Sequence, residues 1–140
     1  MIKTILLQQK DEKERLLARE YIPRDQMKRR DLLTGDLIKV ITGPRRAGKS
    51  IFSLMLLKDV SFAYVNFDDE TLLSRGNTDD LLTALFEVYP RPDYLFFDEI
   101  QNFPRWEIFV NKLHRRGRRL VLTGSNASLL SREFHGSLMP

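Results

Sequence analysis

The amino-acid sequence predicts an α/β fold, a parallel β-sheet with helices on both faces. Short apolar runs of strand character alternate with segments of helical periodicity, and this alternation favours a parallel sheet. A glycine-rich loop with the sequence GPRRAGKS joins the first strand of the series directly to the first helix. A further helical segment precedes the series at the N-terminus.

The composition is that of an ordinary globular domain and excludes several kinds of site. The chain has 140 residues, of which 42% are hydrophobic and 30% are charged. Because the sequence has no cysteine, disulfides and thiolate metal sites are excluded, and we expect a cytoplasmic location. No apolar run is long enough to span a bilayer, so we expect no membrane partner. The net charge of +4 suits a polyanionic partner, either a nucleotide or a nucleic acid.

The order of the predicted helices and strands indicates a helical extension at the N-terminus followed by a core domain. Residues 1–19 predict a helix rich in helix-forming residues, whose apolar positions are so sparse that we expect it on a surface. A strand over 37–42 ends directly at Gly43. The rest of the chain predicts a helix over 50–58, a strand over 62–67, a helix over 77–89, a strand over 94–97, a helix over 106–113 and a strand over 118–123. We therefore expect a helical extension over 1–34 and a core domain over 35–140.

The loop GPRRAGKS matches the phosphate-binding pattern G-x-x-x-x-G-K-[ST] and has the strand and the helix that this pattern requires on its flanks. In such a loop, backbone N–H groups and the positive end of the following helix surround the phosphates of ATP. Lys49 would bring a mobile charge to the β- and γ-phosphates, and the hydroxyl of Ser50 would bind Mg²⁺. The predicted nucleotide-binding residues are Gly43, Pro44, Arg45, Arg46, Ala47, Gly48, Lys49, Ser50 and Ile51. For the two arginines, a solvated loop is an alternative.

An acidic pair follows the third strand, at Asp98 and Glu99. Carboxyl ends of parallel strands meet at the ligand-binding edge of such a sheet, so Asp98 is placed beside the loop and is predicted to hold Mg²⁺ through water. Glu99 is predicted to be the base that polarises an attacking water. The alternative is that the pair only caps the loop before Pro104.

Other polar residues end strands at the same edge. Asn126, or Ser125 beside it, would hydrogen-bond the γ-phosphate or the attacking water, so Asn126 joins Glu99 as a predicted catalytic residue; a simple turn is the alternative. Asp68 and Asp69 would assist magnesium or replace Glu99 as the base, although a solvated acidic loop is the more ordinary interpretation.

A basic run over 114–119, HRRGRR, precedes the fourth strand and is expected at the opposite edge of the sheet. It would contact nucleic-acid phosphates, such as those of DNA. The alternative is a solvated helix end, where cations favour the negative end of the helix dipole.

The motifs also separate classes of nucleotide enzyme. No glycine follows Asp98 as switch GTPases require, the pair Asn111-Lys112 lacks the base-reading aspartate, and no Leu-Ser-Gly-Gly signature of transporter ATPases is present. The adjacent acids favour a hydrolytic ATPase. A small-molecule kinase remains an alternative for which no acceptor motif is seen, and so does a non-catalytic nucleic-acid-binding module.

Four segments carry a family resemblance: GPRRAGKS, YVNFDDE, LFFDEIQNFPRWEIFVNKLHRRG and LVLTGSNASLLS. Over residues 36–138 the chain resembles the AAA+-type ATPase domain of a large group of prokaryotic predicted ATPases. The resemblance implies a P-loop NTPase fold of the additional-strand type, with sheet order 5-1-4-3-2. It also implies Walker A roles for Lys49 and Ser50, Walker B roles for Asp98 and Glu99, and the sensor position for Asn126.

The resemblance further implies that the chain is an N-terminal fragment. Members of the group usually continue into a fifth strand and further C-terminal regions, which would be partners of this part. We therefore expect the fifth strand to be missing, the strand over 37–42 to have one unpaired edge, and the chain to self-associate unless the N-terminal helix covers that edge. The expected function is Mg²⁺-dependent ATP hydrolysis in the complete protein, coupled to a conformational change, with little activity in the fragment.

Overall fold

The computed structural model describes residues 2–18, 33, 37–43, 48–74, 77–125 and 137–139. Their helices are α1 (Ile2–Ala18), α2 (Lys49–Leu56), α3 (Glu70–Ser74), α4 (Thr78–Val88), a 3₁₀ helix (Ile100–Asn102) and α5 (Trp106–Arg115). Their strands are β1 (Lys39–Thr42), β2 (Phe62–Asn66), β3 (Tyr94–Asp98), β4 (Arg119–Gly124) and β5 (Ser137–Met139). Each predicted strand and helix is found, with ends that shift by a few residues.

The strands form a parallel sheet in the order β2-β3-β4-β1-β5. The predicted order is confirmed, but the expectation that the fifth strand is missing is wrong. Lys39 of β1 lies opposite Val121 of β4 on one side and opposite Ser137 of β5 on the other. The sequence did not predict β5 because it has only three residues and none is β-branched. β1 therefore has ladder partners on both sides, and the predicted unpaired edge does not exist there.

Helices cover both faces of the sheet. All five residues of β3 are buried, which requires packing on each face. Crossovers between parallel strands are right-handed almost without exception, and with this strand order the rule puts α2 on one face and α4 and α5 on the other. A cluster of aromatic rings under the loop that follows β3 has centroid separations of 5.0 to 5.5 Å between neighbouring rings. The cluster consists of Phe67, Phe97, Phe103 and Phe109. These rings fix the end of β3, where the acidic pair lies.

Helix α1 lies along the outer edge of β2, and polar side chains attach it there. The side-chain amide of Gln9 donates to the Asn66 carbonyl and accepts from the Asn66 N–H, both at 3.0 Å, as a neighbouring strand would. Lys13 Nζ donates to the Phe62 carbonyl at 3.2 Å. It also lies 4.2 Å and 4.6 Å from the ring centroids of Phe62 and Tyr89, and burial lowers the pKa of Lys13 to about 8. α1 is thus a cover for an edge strand, anchored by two buried polar residues.

Candidate functional site

The glycine-rich loop leaves β1 at Thr42 and enters α2 at Lys49. Gly48, the residue before α2, has φ 82°, a conformation that residues with a side chain rarely adopt. A Cβ atom there would meet no atom of the described residues within 4 Å, so the requirement for glycine is conformational. Ile51 lies in the first turn of α2. The predicted binding residues Pro44, Arg45, Arg46 and Ala47 are outside the described residues.

The ammonium group of Lys49 is buried at the centre of the site, with 7% of the residue exposed. Its Nζ donates to the Gly43 carbonyl at 2.9 Å, to Glu99 Oε1 at 2.9 Å and to Ser125 Oγ at 3.2 Å. An ammonium has three N–H groups, so these contacts satisfy all of them. Lys49 therefore has no donor left for a phosphate unless one of these contacts breaks.

Asp98 ends β3 and receives hydrogen bonds from three hydroxyls. Ser50 Oγ lies 2.9 and 2.8 Å from its two carboxylate oxygens, Tyr64 donates at 3.0 Å, and Thr123 Oγ1 donates to Oδ1. Thr123 Oγ1 also accepts from the Glu99 N–H at 3.0 Å, which ties the two strands together beside the site. Burial raises the pKa of Asp98, the three hydroxyls act in the opposite direction, and the charge of Glu99 adds to the increase.

Glu99 follows β3 in a left-handed backbone conformation with φ 54°, which is uncommon for a residue with a side chain. Its carboxylate accepts from Lys49, from Gln101 Nε2 at 2.6 Å and from Ser125 Oγ at 3.1 Å. Burial alone would raise the pKa of Glu99, but hydrogen bonds from Gln101 and Lys49 and the Lys49 charge outweigh burial and lower it. Glu99 is therefore ionised at neutral pH, and its charge is matched by Lys49.

The other acids near the site have different contacts. Asp69 accepts from the N–H groups of Thr71 and Leu72 at 2.9 and 3.1 Å, which is the contact of an N-cap residue for the short helix α3. Asp68 is exposed and accepts from Asn102 Nδ2 at 2.9 Å. Both are thus engaged in holding the loops around β3, while Glu99 is the acid that touches Lys49.

The two predicted residues after β4 have different outcomes. Ser125 lies in the cluster through its contacts with Lys49 and Glu99. Asn126 is outside the described residues, so its catalytic role stays a prediction.

The basic run lies at the opposite edge of the sheet, because Arg119 begins β4 and Asp98 ends the neighbouring parallel strand. Arg118 lies 4.4 Å from the ring centroid of Phe86, and Arg119 lies 5.8 Å from that of Tyr94. Contact of this run with nucleic acid stays a prediction.

Sequence reasoning missed three residues of the site: Tyr64, Thr123 and Gln101. Tyr64 and Thr123 lie inside strands, where aromatic and β-branched residues are ordinary. Gln101 follows Glu99 by two residues, and that proximity is the signal that could have found it. Only the register of β2, β3 and β4 brings the two hydroxyls to Asp98.

Within the described ranges, none of the helices combines the length and the apolar character that a membrane span needs. No three His, Cys, Asp or Glu side chains converge there as a metal cluster would require.

Comparisons with known proteins give one family and two curated relatives. A family model described as an AAA domain matches residues 35–140. An uncharacterized protein of Methanocaldococcus jannaschii is 39% identical over 107 residues, which cover 72% of this chain and 24% of the relative. An uncharacterized protein of Haemophilus influenzae is 35% identical over 111 residues, covering 70% and 28%. The chain spans about a quarter of the length of these curated relatives.

Among solved structures, the flagellar accessory protein FlaH from Methanocaldococcus jannaschii aligns with a TM-score of 0.44 and 16% identity. The alignment covers 80% of this chain and 72% of that protein.

Proposed function

The chain belongs to the AAA domain family, a family of nucleotide-binding ATPase domains, and from this premise we propose that it binds ATP with Mg²⁺ through residues 43–51 and that Glu99 serves as the base of ATP hydrolysis in the complete protein. One observation carries the proposal. Lys49, Ser50, Asp98 and Glu99 come from two distant segments and form one hydrogen-bonded cluster at the carboxyl end of the sheet.

Phosphate binding rests on α2 and Lys49. The first N–H groups of α2 are the positive end of the helix dipole and favour an anion at the loop. A triphosphate placed there would draw Lys49 Nζ away from Glu99, because both groups compete for the same ammonium. Nucleotide binding would in this way separate the lysine from the acid.

The side-chain oxygen atoms of Ser50 and Asp98 are of the kind that magnesium binds. A hydroxyl and a carboxylate at hydrogen-bond distance are hard oxygen ligands, and Mg²⁺ is commonly held by one or two protein groups together with phosphate oxygens and waters. When bound, the ion would neutralise charge on the transferred phosphate. Tyr64 and Thr123 would orient the Asp98 carboxylate toward it.

Hydrolysis would use Glu99 once Lys49 has left it. The carboxylate is ionised and would accept a proton from a water, while Ser125 and Asn126 lie next to each other in the chain as further groups for the phosphate or the water. The change in Glu99 contacts is the local event that we propose to couple hydrolysis to a conformational change. The helical extension over 1–34 and the core over 35–140 are proposed as the two parts of the chain.

The test of this proposal is nucleotide affinity in Lys49→Ala. Loss of the charged donor should weaken ATP binding at least tenfold, roughly 1.5–3 kcal/mol for a charge-assisted hydrogen bond. Isothermal titration calorimetry with ATP and Mg²⁺ measures it, with the exposed Lys58→Ala as a control that removes the same charge. Equal affinities of Lys49→Ala and the wild type would remove the basis for the phosphate-binding assignment.

A further inference from the structure

Among the described residues near Glu99, the amide of Gln101 has a hydrogen-bond partner for its nitrogen but none for its oxygen. It lies in the 3₁₀ helix directly after Glu99, and its Nε2 donates to Glu99 Oε2 at 2.6 Å. Its Oε1 is buried and has no hydrogen-bond partner among the described residues. Buried acceptors without a partner are rare in folded proteins, and each one calls for an explanation.

The orientation of this amide follows from chemistry. An ionised carboxylate only accepts hydrogen bonds, so the amide of Gln101 must turn its nitrogen to Glu99. The amide oxygen then points elsewhere and cannot be satisfied by Glu99. A flipped amide would bring two acceptor oxygens together, which is unfavourable.

The distance between the unpaired oxygen, Gln101 Oε1, and the Glu99 carboxylate also has an upper limit. Standard C=O and C–N bond lengths place the oxygen and nitrogen of an amide about 2.3 Å apart. Added to the 2.6 Å contact, this puts Gln101 Oε1 within about 5 Å of Glu99 Oε2. One water that donates to two acceptors, each about 2.6 to 3.0 Å from the water oxygen, spans about 4 to 5 Å between them. The two oxygens are therefore close enough to share one water.

We propose, on the premise that Glu99 is the base of ATP hydrolysis, that Gln101 is a positioning residue that holds the attacking water together with Glu99. Its amide nitrogen holds the Glu99 carboxylate in place through a hydrogen bond. Its amide oxygen accepts a hydrogen bond from the water, through the O–H that does not face Glu99. Lys49 Nζ contacts Glu99 Oε1 and Gln101 Nε2 contacts Glu99 Oε2. Departure of Lys49 Nζ to the phosphates would end its ion pair with Glu99 and free the carboxylate to act on the water that Gln101 Oε1 also holds.

In the reaction, the water oxygen forms a bond to the γ-phosphorus and its proton passes to Glu99. The bond from the γ-phosphorus to the β,γ-bridging oxygen breaks, and its electron pair stays on ADP. Gln101 neither gains nor loses a proton. It fixes the direction of the water lone pair, and loss of such alignment commonly costs on the order of 10²-fold in rate.

The experiment compares Gln101→Met, which keeps the size of the side chain and removes both polar groups, with Asn102→Ala as a matched control. Asn102 is in the same 3₁₀ helix but donates to Asp68. In the natural full-length protein we expect Gln101→Met to lower kcat about tenfold to hundredfold with KM unchanged. Asn102→Ala should stay within about threefold of the wild type in kcat.

A second readout does not depend on turnover. ADP with aluminium fluoride mimics the transition state including the attacking water, and ADP alone does not. Gln101→Met should weaken the aluminium fluoride complex by the same factor as kcat while ADP affinity is unchanged. Gln101→Ala, which has no side chain that could misfit, is measured in parallel and should agree.

The outcomes separate the two proposals. Wild-type kcat and wild-type aluminium fluoride affinity in both Gln101 variants would overturn the role of Gln101. Equal losses for ADP and for its aluminium fluoride complex would also overturn it, because they would indicate a structural role. Absence of ADP and ATP binding in the wild type would instead overturn the proposed function on which the inference rests.

Discussion

Glu99→Gln should have opposite effects on nucleotide binding and on hydrolysis. In the nucleotide-free site, Lys49 Nζ and Glu99 Oε1 are 2.9 Å apart, and the two side chains are only 6% and 8% exposed. A hydrogen bond that involves a charged group contributes about 1.5–3 kcal/mol; a pair of two charges lies toward the upper end of this range, and a lysine bonded to a neutral amide lies toward the lower end. The substitution therefore weakens the contact that competes with a phosphate by about 1–1.5 kcal/mol.

A thermodynamic cycle turns this difference into an affinity. The contact exists in the free protein and, under the proposed function, is broken in the complex, so weakening it would raise the free energy of the free protein alone. We expect ADP or a non-hydrolysable ATP analogue to bind about 5- to 13-fold more tightly to Glu99→Gln, since 1.4 kcal/mol corresponds to tenfold. The nucleotide-free variant should lose a similar free energy of unfolding. Hydrolysis, by contrast, should slow by about 10²–10⁴-fold when a positioned base is lost.

Calorimetry with both nucleotides, urea unfolding without nucleotide and a steady-state ATPase assay give the three quantities. Asp68→Asn is the matched control, because it removes one exposed carboxylate from the same edge of the sheet. Unchanged or weaker nucleotide binding in Glu99→Gln would refute the competition between Glu99 and phosphate for Lys49. Loss of hydrolysis in Asp68→Asn but not in Glu99→Gln would show that another acid is the base.

Two further predictions concern the attachment of α1. The pKa of Lys13 is about 8 in the folded chain and 10.5 in its ordinary state. Between these pH values the unfolded chain binds more protons than the folded chain. The free energy of unfolding therefore rises with pH over this range, by at most about 3 kcal/mol. Lys13→Met should abolish this rise in urea unfolding between about pH 7 and pH 10, and parallel curves for variant and wild type would contradict it. Gln9→Glu cannot donate to the Asn66 carbonyl and should lower the free energy of unfolding by about 1–3 kcal/mol, whereas the exposed Gln8→Glu should leave it nearly unchanged. Equal stabilities of these two variants would show that the Gln9 contact is unimportant.

The elements that the sequence predicted are those that depend on local pattern. The alternation of apolar runs gave the parallel sheet, and the loop with its flanks gave the position of Lys49 and Ser50. Asp98 and Glu99 could be placed because the carboxyl ends of parallel strands share one edge. None of this required knowledge of which strands are neighbours.

What the sequence could not predict depends on contacts between distant segments. Tyr64 and Asp98 are 34 positions apart and Thr123 and Asp98 are 25 apart, and the register of three strands joins them. Gln9 and Lys13 are buried although they are polar, because their partners are backbone groups of β2. A search for apolar periodicity passes over such residues. The three residues of β5 give no pattern at all.

The attachment of α1 has a consequence for the order of events during folding. Its partners lie far along the chain: Gln9 and Asn66 are separated by 57 positions, and Lys10 and Val88 by 78. During synthesis α1 emerges before β2 and α4, so it must wait for them before it can dock, and most of the stability of a helix in a protein comes from such packing. Contacts of such long range form slowly. Until they form, the outer edge of β2 is open to other chains, so a nascent chain is most exposed to misassembly in the interval before α1 docks on that edge.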